Sequence, residues 1–589
     1  MRIGSDLVRS LAFGAVLLLA VAAPRRAAAE WPHCGRAIAA ASDAQDHSAV
    51  TTDGAGGAIV TWHDERFPNV NIFAQHVVAS GELDTAWPID GQALLTDSLA
   101  LRTADGGQTS PVIVSDGEGG AIVAWEDDRS PVTETDVFAQ HILGSGAVDR
   151  AWPADGAPLS VIAGLQNTLA IASDGTGGPG VAGGAFVVWM DTRPGTSVVD
   201  IFAQHILGSG HVDPRWPANG LAVCSAPGRQ EFPVIVEDGA GGAIVSWDDL
   251  RNSATGDDIF AQHVLATGVV DPVWPVNGRA LCTASGDQGR ATITSDGAHG
   301  AVVAWTDGRV ANTFHIFAEH LLATGVVDPA WPVNGRGISD AGVIESRPLA
   351  VPDGQGGAIV NWQAFTVHVN MFAQHIEGTG IVDPAWPAGG RALSHRDRLQ
   401  DLAEIVPDGS GGAVVAWNDS NDVVAQHVLA TGGLDPAYPD SGRRLCDLDD
   451  QRGGLALVAT GAGGAIASWT DSRNGKDTDI YAVQVLEAEP LSVPGDGGGT
   501  VLFLAASPNP ARASLTLRFA LVQAGEARLA IYDLAGRRVR ELFSGARSAG
   551  EQSIAWDLRD ADGIAVRPGL YFARLEAAGR SLTKRLATR

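Results

Sequence analysis

One phrase recurs along this chain: "DGEGGAIVAWEDDR" from Asp116, "DGAGGAIVSWDDLR" from Asp238 and "DGAHGAVVAWTDGR" from Asp296. Its tryptophan falls at Trp62, Trp125, Trp189, Trp247, Trp305, Trp362, Trp417 and Trp469, at spacings of 52–64 residues. A phrase of the type "IFAQH" follows each one, starting at Ile72, Val137, Ile201, Ile259, Ile316, Met371, Val423 and Ile480. A third, of the type "WPVNGRAL", begins at Trp31, Trp87, Trp152, Trp216, Trp274, Trp331, Trp386 and, as "YPDSGRRL", Tyr438. A unit of this length cannot hide its apolar surface alone, so copies must stack on one another.

Each unit reads as four short strands. Asp-Gly and Gly-Gly in "DGxGG" tolerate the positive φ of a tight hairpin between the first two. In "AIVAW" both faces are apolar, with Ala121, Val123 and Trp125 on one side and Ile122 and Ala124 on the other. Such a strand is buried on both faces. Four-stranded sheets stacked face to face are the blades of a β-propeller. The phase of the phrases predicts closure: the chain starts with an orphan third phrase, "WPHCGRAI", and its last unit stops after "DIYAVQVL" without one. Joining the two ends completes an eighth blade and removes two sheet edges, whereas an open array would need capping repeats. The expected fold is therefore all-β, an eight-bladed propeller closed by its N-terminal strand.

Four segments follow from composition. Residues 1–29 read as a secretory signal, with Arg2 and Arg9 before the apolar run Leu11–Ala23 and small residues leading to cleavage at Ala29. A run that short does not span a membrane. Residues 30–488 are the repeat ring, 489–499 ("EPLSVPGDGGG") a Pro/Gly-rich linker, and 500–589 a small domain of alternating strands and Gly turns. Of the net charge of −28, residues 507–589 carry 14 Lys+Arg against 8 Asp+Glu and residues 1–29 carry 4 against 1, which leaves −37 on residues 30–506. A ring so acidic repels nucleic acid and anionic lipid.

The repeated polar residues invite a chemical reading that repetition argues against. Asp127 and Arg129 recur as Asp64/Arg66, Asp191/Arg193, Asp249/Arg251, Asp307/Arg309 and Asp471/Arg473. An enzyme needs one constellation of unlike groups, so these pairs read as braces for a strand end. Gln75/His76, repeated as Gln140/His141, Gln204/His205 and Gln262/His263, alternate across a strand and cannot converge on one ion. Their side chains are expected to bond between blades. The aspartates of "DGxGG", among them Asp53, Asp116 and Asp238, supply one carboxylate per turn, too few for the 6–8 oxygens calcium takes, so calcium is only weakly supported. Neither catalytic residues, a cofactor site nor a metal site is assigned. Cys224, Cys282 and Cys446 occupy one repeated position and read as small buried thiols rather than disulfides; Cys34 lies elsewhere in its repeat, so Cys34–Cys446 is the one bridge to look for. The pattern breaks at "SPVTET" before Asp136, "PGVAGG" before Ala185 and "QAFTVHV" in unit six, which are expected to reshape one sector of the rim.

Pro508-Asn509-Pro510, Tyr532-Asp533 with Gly536-Arg537, Trp556-Asp557, Asp562-Gly563 and Gly569-Leu570-Tyr571 stand in order in the last seventh of the chain. This region resembles the immunoglobulin-like C-terminal sorting domains of type IX secretion cargo and the related domain of flagellar hook-capping proteins. The resemblance implies a β-sandwich recognised by secretion machinery at the outer membrane. The ring resembles blades of uncharacterised extracellular bacterial propellers. The expectation at this stage is a secreted or surface-displayed, non-enzymatic propeller that binds a protein or glycan. The alternative is an extracellular hydrolase with its site over the channel, and unlike polar residues from different blades at equivalent central positions would mark it.

Overall fold

The computed structural model describes residues 31–94, 106–485 and 501–588, apart from short stretches at 68, 179, 195–197, 311–312, 340–341, 397, 449–451, 462, 508–513, 522–524, 534–536, 548–549, 562, 568 and 578–579. The signal segment with Ala29, the linker, Pro508-Asn509-Pro510, Gly536 and Asp562 lie outside the described residues. Every element among the described residues is a strand.

Between Arg36 and Val485 the strands form eight antiparallel sheets among the described residues, seven with four strands and one with a fifth. Sheet two is representative: Gln108–Ser115, Ala121–Ser130, Glu134–Ile142 and Ala157–Ser160 pair in sequence order. Its "DGEGG" turn is held by the Asp116 carboxylate, whose Oδ1 accepts from the amides of Glu118 (2.7 Å) and Gly120 (2.9 Å). Gly117 and Gly119 supply φ values of 79° and 89° there. The second strand is buried from Ala121 to Trp125, as two apolar faces require.

First strands of successive sheets lie side by side around a centre, and Arg452–Ala459 of sheet eight meets Gln45–Thr52 of sheet one. The N-terminal strand Arg36–Ala39 pairs with Asp479–Val485, with Arg36 opposite Ala482 and Ala37 opposite Tyr481. Sheet eight is thus built from both ends of the ring. Ile38 and Ala39 join Ile466, Ile480 and Ala482 of sheet eight with Val60, Trp62 and Phe73 of sheet one in a single apolar cluster. Clusters of the same kind fill the other contacts between neighbouring sheets.

Outside unit seven, which has Tyr438, the second tryptophan of each unit reaches the next sheet. Trp87 packs on Gly146 and Trp152 on Gly210, so closely that a Cβ on either glycine would sit within 2.7 Å of the indole. Trp31 takes the same place on Gly81 of sheet one. The orphan phrase therefore completes sheet eight and fastens it to sheet one. Cys34 is also disulfide-bonded to Cys446 at the outer strand of sheet seven, while Cys224 and Cys282 are buried thiols. The preference for thiols at this repeated position is corrected at Cys446 alone, because closure brings Cys34 beside it.

The C-terminal domain consists of two sheets, Val501–Ser507, Leu515–Leu521 and Gly550–Trp556 in one, and Arg538–Arg547, Gly525–Asp533, Gly569–Ala577 and Arg580–Thr588 in the other. Leu517, Phe519, Leu529, Ile531, Trp556 and Leu575 form its core. The Tyr571 hydroxyl donates to the Arg567 carbonyl at 2.8 Å, tying the entry to Gly569–Ala577.

Candidate functional site

Two repeated polar assemblies lie toward the ends of the second and third strands. In the first, the buried Trp125 Nε1 donates to Asp127 Oδ2 at 2.8 Å while Arg129 Nε donates to Asp127 Oδ1 at 2.7 Å. The Arg129 guanidinium lies 4.0 Å over the Phe138 ring. Trp62, Trp189, Trp247, Trp305 and Trp469 repeat the tryptophan–aspartate bond. Sheet six moves the carboxylate: Ala364 stands where the aspartate would be, and Glu345, where the first strand elsewhere has glutamine or arginine, accepts from Trp362 Nε1 at 3.1 Å. The buried Trp362 indole keeps its acceptor through both changes, whereas Trp417 Nε1 of sheet seven has none among the described residues.

The second assembly places a histidine between two aspartates of its own sheet. His141 Nε2 lies 2.9 Å from Asp116 Oδ2 and its Nδ1 2.9 Å from Asp149 Oδ2. Sheets one and three to seven repeat this at His76, His205, His263, His320, His375 and His427. The expected bonding between blades is corrected, because the turn aspartate and the aspartate after the third strand both belong to the histidine's own sheet. Burial alone would depress His141, but its two carboxylates outweigh it and hold the imidazole above the ordinary histidine value. Burial raises Asp116, and the bond and charge of His141 together with the amides of Glu118 and Gly120 more than reverse it.

The centre of the ring does not repeat. Each first strand has a bulge near its start, seen in sheet one between Asp46 and Ala49. The bulged residues are His47, Ser110, Thr168, Phe232, Arg290, Arg347, Leu402 and Gly454, one from each sheet. All have positive φ, 47–58° at the seven that are not glycine. Phe and Thr in this region are outliers, and such strain costs of the order of 1–3 kcal/mol per residue. Glycine, which the conformation favours, stands at one position of eight. The other seven hold side chains of unlike chemistry, most of them exposed to the centre.

The residue after each repeated tryptophan varies too, and three of these clasp the bulge of the next sheet. Glu126 Oε1 accepts from Thr168 N at 2.8 Å, Met190 Sδ from Phe232 N at 3.4 Å, and Asp248 Oδ2 from Arg290 N at 2.9 Å. Burial pushes the Asp248 carboxyl up to about 7 against the lowering effect of the Arg290 and Ala291 amides. Glu404 stands in register where the other first strands have Ala49, Val112, Ala170, Val234, Thr292, Leu349 and Ala456. Burial alone pushes its carboxyl up to about 7.

Two cavities open among the bulges. One, of about 340 Å3, crosses sheets three to six and is lined by Thr168, Phe232, Pro233, Arg290, Arg347 and Pro348. The other, of about 260 Å3, lies where the ring closes, between Asp46, His47, Arg452 and Thr470. His47 Nδ1 is 3.3 Å from His63 Nε2, and burial together with its neighbour His47 depresses His63 to about 4.

The eight repeated tryptophans are all fully buried within the sheets and none reaches these cavities. The pattern breaks do not form one sector. "SPVTET" and "QAFTVHV" join second to third strands, whereas "PGVAGG" joins first to second strands at the opposite end of its sheet. Among the described residues the one trio whose metal-ligand atoms all converge is His33, Cys34 and Asp447, and its cysteine is in the disulfide. The bulge residues were missed because no one residue type recurs around the ring; only arginine stands at two of the positions, Arg290 and Arg347. Their signal was positional, two residues after the recurring Gln45, Gln108, Gln166, Gln230, Gln288 and Gln400.

Residues 511–581 match the FlgD Ig-like domain family. No curated protein matches the chain in sequence. Solved structures similar to it include an ulvan lyase of a polysaccharide lyase family bound to -[GlcA(1-4)Rha3S]-, at 11% identity and TM-score 0.39 over 76% of this chain and 95% of that one. The α-L-arabinanase of Penicillium chrysogenum complexed with arabinobiose is similar at 11% identity and TM-score 0.33, over 77% of this chain and 98% of that one. The fucose-specific lectin of Aleuria aurantia is similar at 10% identity and TM-score 0.30, over 56% and 94%. The expectation of a protein without enzymatic activity is corrected by the lyase and the arabinanase, which are enzymes. That expectation rested on the repeated outer motifs, and the unlike residues at the centre lie outside them.

Proposed function

We propose that the chain is an extracellular glycan hydrolase whose site lies at the centre of the ring. One observation carries the reading: at equivalent positions around the centre the side chains are chemically unlike, on strained backbone that a scaffold alone would give to glycine. Glycoside hydrolysis needs a carboxyl group that stays protonated near neutral pH and a second that is ionised. Glu404, a carboxyl at the first-strand position where the other sheets carry small or apolar residues, is the proton donor, and burial raises it to about 7. Asp401 lies on the same strand; burial raises it while the Arg347 charge opposes that, and it takes the proton from water. The glycosidic C–O bond breaks as its oxygen gains the Glu404 proton, and the water oxygen bonds to the anomeric carbon. Asp248 holds the Arg290 bulge and is a positioning residue.

The signal segment and the C-terminal domain support export, with the sandwich engaging type IX secretion machinery and delivering the ring to the surface or medium. A panel of extracellular polysaccharides, assayed for new reducing ends with the full chain and with Glu404→Gln, tests the catalytic reading. Turnover lost in the variant with an unchanged melting temperature supports it. Turnover by neither protein, or equal turnover by both, rejects it.

A further inference from the structure

The 340 Å3 cleft lies in a segment holding −37, yet two of its walls are arginines. Arginines of the repeated outer assembly, such as Arg66, Arg193 and Arg251, each pair with an aspartate two residues back. Arg290 and Arg347 stand in no such pair: they extend from neighbouring bulges, are exposed, and no carboxylate ion pair is made by either among the described residues. The Arg290 guanidinium carbon lies 4.6 Å from the Phe232 ring centre, a cation–π contact that restrains the side chain. Pro233 and Pro348 follow Phe232 and Arg347 and stiffen the backbone that carries them.

We infer that Arg290 and Arg347 bind an anionic sugar unit, through a uronate carboxylate or a sulfate ester, while Phe232 supplies an apolar platform for the sugar ring. A planar guanidinium offers paired donors that match carboxylate and sulfate oxygens, and two of them from adjacent sheets span one ring substituent. The unlike neighbours around them, Thr168 on one side and Leu402 on the other, confine the charge to one arc of the centre. An acidic polymer would be repelled by the outer surface and held only here, so the attraction is local and weakens with salt.

This inference rests on the reading that the centre takes a glycan. Titration calorimetry of the full chain with an oligogalacturonate, its carboxyl-reduced neutral counterpart and a sulfated oligosaccharide of equal length tests it, with free galacturonate and inorganic sulfate as small-anion arms. The expected result is that at least one acidic oligosaccharide binds about tenfold more tightly than the neutral one. Which acidic arm binds identifies the carboxylate or the sulfate. In Arg290→Gln/Arg347→Gln the preference disappears at an unchanged melting temperature, and Arg290→Lys/Arg347→Lys, which keeps the charge without the paired donors, retains part of it. Equal affinity for acidic and neutral oligosaccharides, a preference that survives the glutamine variant, or inorganic sulfate binding as tightly as the oligosaccharides overturns the inference. Acidic preference without turnover leaves it standing and removes the hydrolase. Turnover of a neutral glycan together with equal affinity for acidic and neutral oligosaccharides does the reverse.

Discussion

Cys34 is bonded to Cys446 across 412 residues of sequence, so the first strand of the ring is held covalently to the outer strand of sheet seven. The same segment carries Trp31 onto Gly81 and Gly35 against Trp469, and Gly35 has φ +80° and no room for a side chain. Closure is therefore made three times, by pairing, by packing and by a covalent bond.

Removing the bond in Cys34→Ser/Cys446→Ser is expected to lower stability by about 2–4 kcal/mol while the ring still closes. Urea unfolding of the variant and of the parent under reductant checks it. The two should coincide. Thiol titration should find two cysteines, Cys224 and Cys282, that react only after unfolding, since burial pushes both thiols up to about 12.

Trp247→Ala and Trp362→Ala are expected to cost similar amounts, about 3–5 kcal/mol, because each empties space between two sheets. Unit six departs from the repeat in sequence at "QAFTVHV". In the structure Trp362 is as buried as Trp247, and Glu345 replaces the missing aspartate. A Trp362→Ala midpoint close to that of the parent would refute this.

The histidine–aspartate assemblies give the ring a stability window. Six histidines, His141 among them, have folded values above 6.5, so their contribution is complete below 6.5 and is lost as pH rises through the folded value. The turn aspartates have folded values below 3.8, so their contribution is present above 3.8 and is lost as pH falls through the folded value. The melting temperature should be highest between these limits and decline on both sides, and His141→Gln should flatten both declines. A melting temperature that climbs steadily from pH 6.5 to alkaline pH contradicts the assignment.

The sorting role predicts a change of place rather than of fold. Without residues 500–589 the ring should remain folded in the periplasm of a host with type IX secretion. The same residues behind a signal peptide should carry an inert reporter outside. Cell fractionation of both proteins checks it, and unchanged locations for both reject the role.

The order of strands and the closure were legible because phrases containing Trp, Gly and Pro recur with a phase that only a joined ring explains. The histidine partners were legible in part. Gln75 and His76 do point apart, but the bonded aspartates lie 23 residues before and 8 after, and only the register of the folded sheet brings them together. Sheet eight held the clue: Thr460 replaces the turn aspartate in the same unit that has Gln484 in place of histidine. The bulge residues were hidden because a backbone distortion, not a residue type, turns them to the centre. Phe232 has no counterpart of its own kind at the other bulges, and Arg290 only Arg347.

The most direct test of the central claim sets stability against function at those bulges. Phe232→Gly, Arg290→Gly and Arg347→Gly each remove a side chain from a φ that glycine adopts freely. Relief of strain is expected to leave stability unchanged or raise it by about 0.5–1 kcal/mol. Glycan binding and turnover should fall together in all three. Variants that lose stability yet bind and turn over glycan as the parent does would show that these side chains brace the ring, and that its centre is not the site.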